Sequence, residues 1–226
     1  MPHGPLREEF PDVFVVTGAF RMKPGVTITR NMTIARQGTD LVVLNAARLT
    51  EDGERALAAL GTVRHVVRLG AGHGADDAYY AQRFGVPVWA PAPIRQSRSI
   101  ADARELTATS HPLGDAHVLP FTHGRIGEAA VVLPGGVLVS CDAFQHWTSF
   151  EGCSLMAKLV AKLSGFGPTV IGPMWLKHAG PEVARDFEAL AELPFQHLVP
   201  GHGAILRDTA KDGLRTAMRK AKLATA

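Results

Sequence analysis

Leu119–Asp142 reads LPFTHGRIGEAAVVLPGGVLVSCD, and the fold is decided by how this stretch is read. Ala129–Leu133 and Val137–Ser140 are short apolar runs joined by Pro134-Gly135-Gly136, a pattern that predicts a β-hairpin. His123 stands a few residues before the first strand, and Asp142 directly follows the second. Two residue types that ligate metals are thereby brought to the loop ends of buried strands.

Upstream of the hairpin, Leu41–Leu44 (LVVL) reads as a buried strand, and Thr50 caps a helix running to about Leu60. Val63–Leu69 returns as a strand and runs directly into the glycine-rich loop 70–77, GAGHGADD. A helix over Asp77–Arg83 and a strand over Val86–Ala90 complete a βαβ passage, whose functional residues belong at the carboxyl end of its first strand. Val13–Val16, Val26–Thr29 and Met32–Arg36 give the opening third an antiparallel β character, with a turn at Gln37–Asp40. Residues 1–12 are polar and proline-bounded and are expected to form a flexible arm ahead of a single domain, 13–226. Between 94 and 110 the pattern is weak, with a helical turn at Ala101–Leu106, and a short strand is expected at Ala116–Leu119.

Downstream, Glu151–Leu163 reads as a helix with Leu155, Met156, Leu159, Val160 and Leu163 on one face. Pro181 opens another helix reaching Leu193, and Asp208–Ala221 is a terminal helix burying Leu214 and Met218. Between these two helices, Gln196–Val199 is the last core strand, closed by Pro200-Gly201-His202-Gly203. The expected fold is α/β: two sheets packed together with helices on both outer faces, a four-layer αββα sandwich.

Composition narrows the function classes. The 226 residues are 46% hydrophobic and 20% charged with a net charge of +3, an ordinary globular balance without a basic track for nucleic acid. No apolar run approaches the ~20 residues that span a bilayer, so no membrane partner is expected. The start lacks a signal-peptide pattern, and the two cysteines, Cys141 and Cys153, read as reduced thiols, which points to a cytoplasmic location. The chain lacks a GxxxxGK[ST] loop, a GxGxxG fingerprint and a GxSxG nucleophile turn.

Four separated segments each bring a ligand-type residue to a strand end: His73 with Asp76 and Asp77, His123, Asp142, and His202. Zinc, iron and manganese accept imidazole and carboxylate donors of this kind, and a catalytic ion keeps a further position open for water. Each residue also has a plainer role. Asp76 and Asp77 stand where a helix N-cap or first turn begins, Asp142 can cap a turn, and His202 can pack beneath a loop. His146, Trp147, Lys177 and His178 are candidates for a pocket rim, or else ordinary loop and helix-start residues. Phe144, Trp147, Phe150 and Trp175 are the first candidates for a partner surface in a protein read as monomer or homodimer.

These motifs, in this order, resemble the metallo-β-lactamase fold superfamily. Thr122-His123-Gly124 resembles its third-histidine loop, Leu138–Asp142 its hairpin strand ending in a bridging aspartate, and Leu198–Gly203 its closing histidine turn. The departure lies in the first motif, where the superfamily has HxHxDH. With His73 in the second-histidine position, Ala71, Ala75 and Asp76 replace the first histidine, the aspartate and the last histidine. With His73 in the first position, Asp77 takes the aspartate slot and two histidines are lost. The loop also resembles a divergent branch of the superfamily with an incomplete HxHxDH motif and no assigned reaction.

The resemblance implies a metal-dependent hydrolase of a small molecule. Metal-activated water would attack an ester, thioester, lactam or phosphoester, with Asp76, Asp77 or Asp142 orienting it. One divalent ion, zinc with iron or manganese as alternatives, is expected on a set drawn from His73, Asp76, Asp77, His123, Asp142 and His202; a second ion is left open. The alternatives are a catalytically inactive or ligand-binding relative and, after it, an iron-dependent oxidoreductase.

Overall fold

In the computed structural model, residues 3–92 and 103–223 are described. Strand alternation dictates the layers. In β4 (Asp40–Leu44), Val42 and Leu44 point one way and Leu41 and Val43 the other. The first pair packs with Val131, Leu133, Val137 and Val139 of the hairpin strands β9 (Ala129–Leu133) and β10 (Val137–Val139). The second pair meets Leu57 of α1 (Glu51–Leu60) and Tyr80 of α2 (Asp77–Phe84). On the far side, Val132 and Leu138 turn away from the sheet interface toward Phe187 and Leu190 of α5 (Ala184–Glu192) and Leu214 and Met218 of α6 (Ala210–Lys220). The result is the expected αββα sandwich.

The first sheet runs in simple chain order, β1 (Arg7–Phe10), β2 (Val13–Lys23), β3 (Val26–Gln37), β4, β5 (Thr62–Val67), β6 (Val88–Ala90) and β7 (Arg104–Glu105). Its first strands pair antiparallel, and β4 through β7 pair parallel, with α1 joining β4 to β5 and α2 joining β5 to β6. The second sheet has the order β13 (His197–Val199), β10, β9, β8 (His117–Pro120). Val137 pairs with Leu133, and Gly135 and Gly136 hold φ of 83° and 72°, left-handed values that glycine adopts without strain. β11 (Phe144–Gln145) and β12 (Val170–Ile171) form a small third sheet.

Several expectations are corrected. Within the stretch expected as a loose arm, Arg7–Phe10 is β1, because β2 offers an open edge and Phe10 buries its ring in the inter-sheet core. Val13–Val16 is only the first part of an eleven-residue strand. Residues 101 and 102 of the expected helical turn lie outside the described residues, and Arg104–Glu105 is strand. Phe144, Trp147 and Trp175 are buried, so they are not a partner surface. The apolar face that does meet solvent belongs to α3 (Leu155–Leu163), where Ala157 is the buried residue. α4 (Pro173–Ala179) follows β12 and packs Trp175 inward.

Candidate metal centre

The closing turn is fixed from β3. Asn31 donates from its backbone to Gly201 O (2.8 Å) and from its side-chain amide to Pro200 O (2.8 Å) and Gly203 O (3.0 Å). Two residues earlier, Thr29 O lies 2.7 Å from His202 Nδ1. A ring nitrogen against a carbonyl oxygen must donate, so Nδ1 carries a proton, and Nε2 is the nitrogen turned toward His73 and Asp142. Asn45, at the end of β4 with φ of 54°, ties the other two elements together. Its amide donates to Ser140 O and its carbonyl accepts from Leu69 N, both at 3.2 Å. The ends of β4, β5 and β10 are thus fastened at one point, bringing the 70–77 loop and Asp142 to the same edge.

Three ligand-type groups meet there. His73 Nε2 lies 2.9 Å from His202 Nε2, His202 Nε2 lies 3.2 Å from Asp142 Oδ1, and His73 Nε2 lies 3.8 Å from that oxygen. Small residues permit the approach: a Cβ on Gly72 would stand 2.4 Å from Asp142 Oδ2, and one on Gly201 would stand 3.1 Å from His73 Cε1. Cys141 adds a thiol, and its sulfur and the ligand atoms of His73 and Asp142 all lie within 4.8 Å of one another. His73, Cys141 and Asp142 therefore form a buried candidate metal-binding cluster, with His202 against its other side.

Burial pushes the His73 imidazole down to about 3, against the opposing pull of Asp142, so the ring is neutral near pH 7. Burial alone would raise Asp142, but the His202 hydrogen bond and the neighbouring imidazoles hold it down to about 2. Burial pushes the Cys141 thiol well up, helped by the Asp142 charge, so it stays protonated. A neutral imidazole and a carboxylate are ready donors; the thiol is not.

The remaining predicted residues are placed elsewhere. Asp76 forms an ion pair with Arg30 and accepts from Arg48 N. Asp77 pairs with Arg68 at 2.7 Å, both side chains fully buried. Their carboxylates thus answer arginines rather than the cluster, because a buried guanidinium without a carboxylate is costly. Gly74 makes room for this: a Cβ there would stand 1.8 Å from the Arg68 guanidinium, which also donates to Gly74 O. His123 is likewise not brought in. Its Nδ1 lies 2.9 Å from Asp186 Oδ1, and Asp186 also accepts the backbone N–H groups of Thr122, His123 and Gly124. His146 accepts from Thr169 N at its Nδ1 and from Ala204 N at its carbonyl, so it braces the closing turn. Trp147 lies parallel to the His202 ring at 6.2 Å, its indole N–H on Gln145. Lys177 and His178 are exposed on the last turn of α4.

Sequence reasoning missed Glu128. Fully buried ahead of β9, it accepts Ala143 N–H at 2.7 Å through Oε1 and so grips the segment that carries Asp142, while Oε2 has no partner. Burial, then the Asp142 charge, pushes its carboxyl well up, so it is held as a neutral acid. One signal was available: an acid placed between Gly127 and an unbroken apolar strand.

No protein-family model matches the chain, and no curated protein matches it. Solved structures do. The metallo-β-lactamase FIM-1 from Pseudomonas aeruginosa, in its mono-zinc form, superposes with a TM-score of 0.68 at 14% identity, covering 98% of each chain. The chain has the metallo-β-lactamase fold. DIM-1 metallo-β-lactamase gives a TM-score of 0.68 at 13% identity over 97% of this chain and 100% of that one. A metallo-β-lactamase from Hirschia baltica gives 0.65 at 14%, over 96% and 97%. At such identities the metallo-β-lactamase likeness fixes the fold, and the chemistry rests on the residues above.

Proposed function

We propose that the protein is a metal-dependent hydrolase of a small molecule, with one zinc ion held by His73, Asp142 and His202. The observation that carries this is the triangle of donors. A tetrahedral zinc site with bonds of ~2.0–2.1 Å has ligand atoms ~3.3 Å apart, and the three separations here are 2.9, 3.2 and 3.8 Å. The donor set also fits: two imidazoles, one neutral by burial and one with its other nitrogen on a carbonyl, and a carboxylate held ionised. His73 Nδ1 is buried without a partner.

A bound zinc ion supplies a Lewis acid and lowers the pKa of water. The chain's own residues do the rest. Asp142, the most exposed of the three side chains, would hold the ion through its carboxylate and orient a water beside it. Glu128 holds the Asp142 segment in place through Ala143 N–H. A cavity of about 350 Å³ reaches Gly203–Ile205 but is not lined by His73, Asp142 or His202, so it is not the reaction site. The buried free cysteines accord with a reducing, cytoplasmic setting.

The direct contact between the two Nε2 atoms favours a second reading, a retired site in which the imidazoles hydrogen-bond each other. The two separate on a panel of ester, thioester, lactam and phosphoester substrates. A hydrolase loses turnover on chelation and regains it with stoichiometric zinc; no turnover on any substrate in the zinc-restored protein defeats the enzyme reading. Metal analysis of untreated protein distinguishes zinc from iron or manganese.

A further inference from the structure

Outside the candidate centre, the strongest unexplained feature is α3. Among the described residues seven large hydrophobic side chains are exposed, and five lie on this nine-residue helix: Leu155 (86%), Met156 (53%), Leu159 (52%), Val160 (45%) and Leu163 (78%). At about 100° per residue these five span an arc of about 140°, and Ala157 and Ala161 lie on the opposite side. Ala157 packs beside Trp147 and Cys153, and Ser154 joins Thr27 of β3 through a backbone bond of 2.9 Å and its hydroxyl at 3.2 Å. The helix is held to the domain by its small residues and turns its large ones outward, the reverse of an ordinary surface helix.

The charges beside this face have one sign. Lys158 and Lys162 lie along one edge of the apolar arc, and the helix carries no acidic residue. The Thr27–Ser154 contacts set the helix N-terminus beside the β2–β3 hairpin, whose tip exposes Arg21, Met22 and Lys23. Leucine, methionine and valine edged by basic residues are the composition of a helix that lies in a membrane interface. There its apolar face sinks ~5–10 Å and lysines reach the headgroups. A second copy of the chain is a poor occupant. It would set the same cations together with no acid on the helix to answer them.

We infer that α3, with the β2–β3 hairpin tip, docks the protein reversibly on an anionic lipid surface. The inference is independent of the metal reading and revises the expectation of no membrane partner. No helix among the described residues is long and apolar enough to cross a membrane, so the contact is peripheral.

The test is co-sedimentation of the full chain with vesicles of phosphatidylcholine alone and of phosphatidylcholine with phosphatidylglycerol, at low and high salt. Binding is expected only to the anionic vesicles and should weaken with salt. Each lysine near such a surface contributes about fivefold, so Lys158→Glu/Lys162→Glu should weaken binding at least about thirtyfold. Leu159→Gln/Leu163→Gln should weaken it at least tenfold. Both pairs are exposed, so circular dichroism and melting temperature should match wild type in each variant. No binding to anionic vesicles overturns the inference, as does binding that neither double variant changes. A concentration-dependent dimer in sedimentation velocity, lost in Leu159→Gln/Leu163→Gln, also overturns it and assigns the face to self-association.

Discussion

Glu128→Gln is the substitution whose effect can be worked most directly. The carboxyl is fully buried and pushed well above 4.5 by burial and then by the Asp142 charge. A raised carboxyl pKa means that, above pH 4.5, the unfolded chain releases a proton that the folded chain keeps. The stability contributed by this group is therefore complete below pH 4.5 and falls as pH rises, by about 1.4 kcal/mol per pH unit until the folded carboxyl itself ionises. Glutamine keeps the oxygen that accepts Ala143 N–H and has no proton to lose. Relative to wild type, Glu128→Gln should gain stability as pH rises above 4.5, at up to about 1.4 kcal/mol per pH unit until the folded carboxyl ionises, with no pH-dependent gain below pH 4.5. Urea melts of both proteins at matched pH in chelator, compared as the difference between them, cancel the other titrating groups. A difference that does not change with pH would refute the claim that Glu128 is held neutral.

Arg68→Met should cost about 3–5 kcal/mol by leaving Asp77 buried and alone, with most of it restored in Arg68→Met/Asp77→Leu; chemical melts read both. Gly72→Ala puts a methyl where Asp142 Oδ2 stands, so zinc affinity should fall at least tenfold while the melting temperature of the metal-free protein changes little. His123→Ala should leave zinc affinity within about twofold, because its ring is engaged by Asp186. Asp186→Asn should lower stability by about 1–3 kcal/mol, since Asp186 accepts three backbone N–H groups as well as the ring.

The layers were legible because unbroken apolar runs such as LVVL and the hairpin strands mark strands buried on both faces. The closing turn was legible because PGHG combines a strand end, small residues and a ligand. What stayed hidden were pairings across the sheets. Asp76 and Asp77 carry the residue types of ligands, and only the positions of Arg30 and Arg68 show that guanidinium groups hold them. His123 was assigned by its place in a motif, whereas Asp186, sixty-three residues later, decides where its ring bonds. β1 was missed because a short polar strand carries little pattern of its own and is stabilised by the edge it meets. The outward face of α3 has the periodicity of a buried stripe, and periodicity alone does not say which side of a helix faces the core.

The most direct test of the central claim is a zinc titration of chelator-stripped protein, read by calorimetry and by melting temperature, in wild type and in His202→Ala. The account predicts one equivalent of zinc in wild type. At a hundredfold excess over Kd the stabilisation is about 2.7 kcal/mol, a rise of about 5–10 °C for a chain of this size, and His202→Ala should lose both the binding and the rise. Wild type that takes up no zinc, or His202→Ala that binds it as tightly as wild type, would contradict a metal centre built on His73, Asp142 and His202.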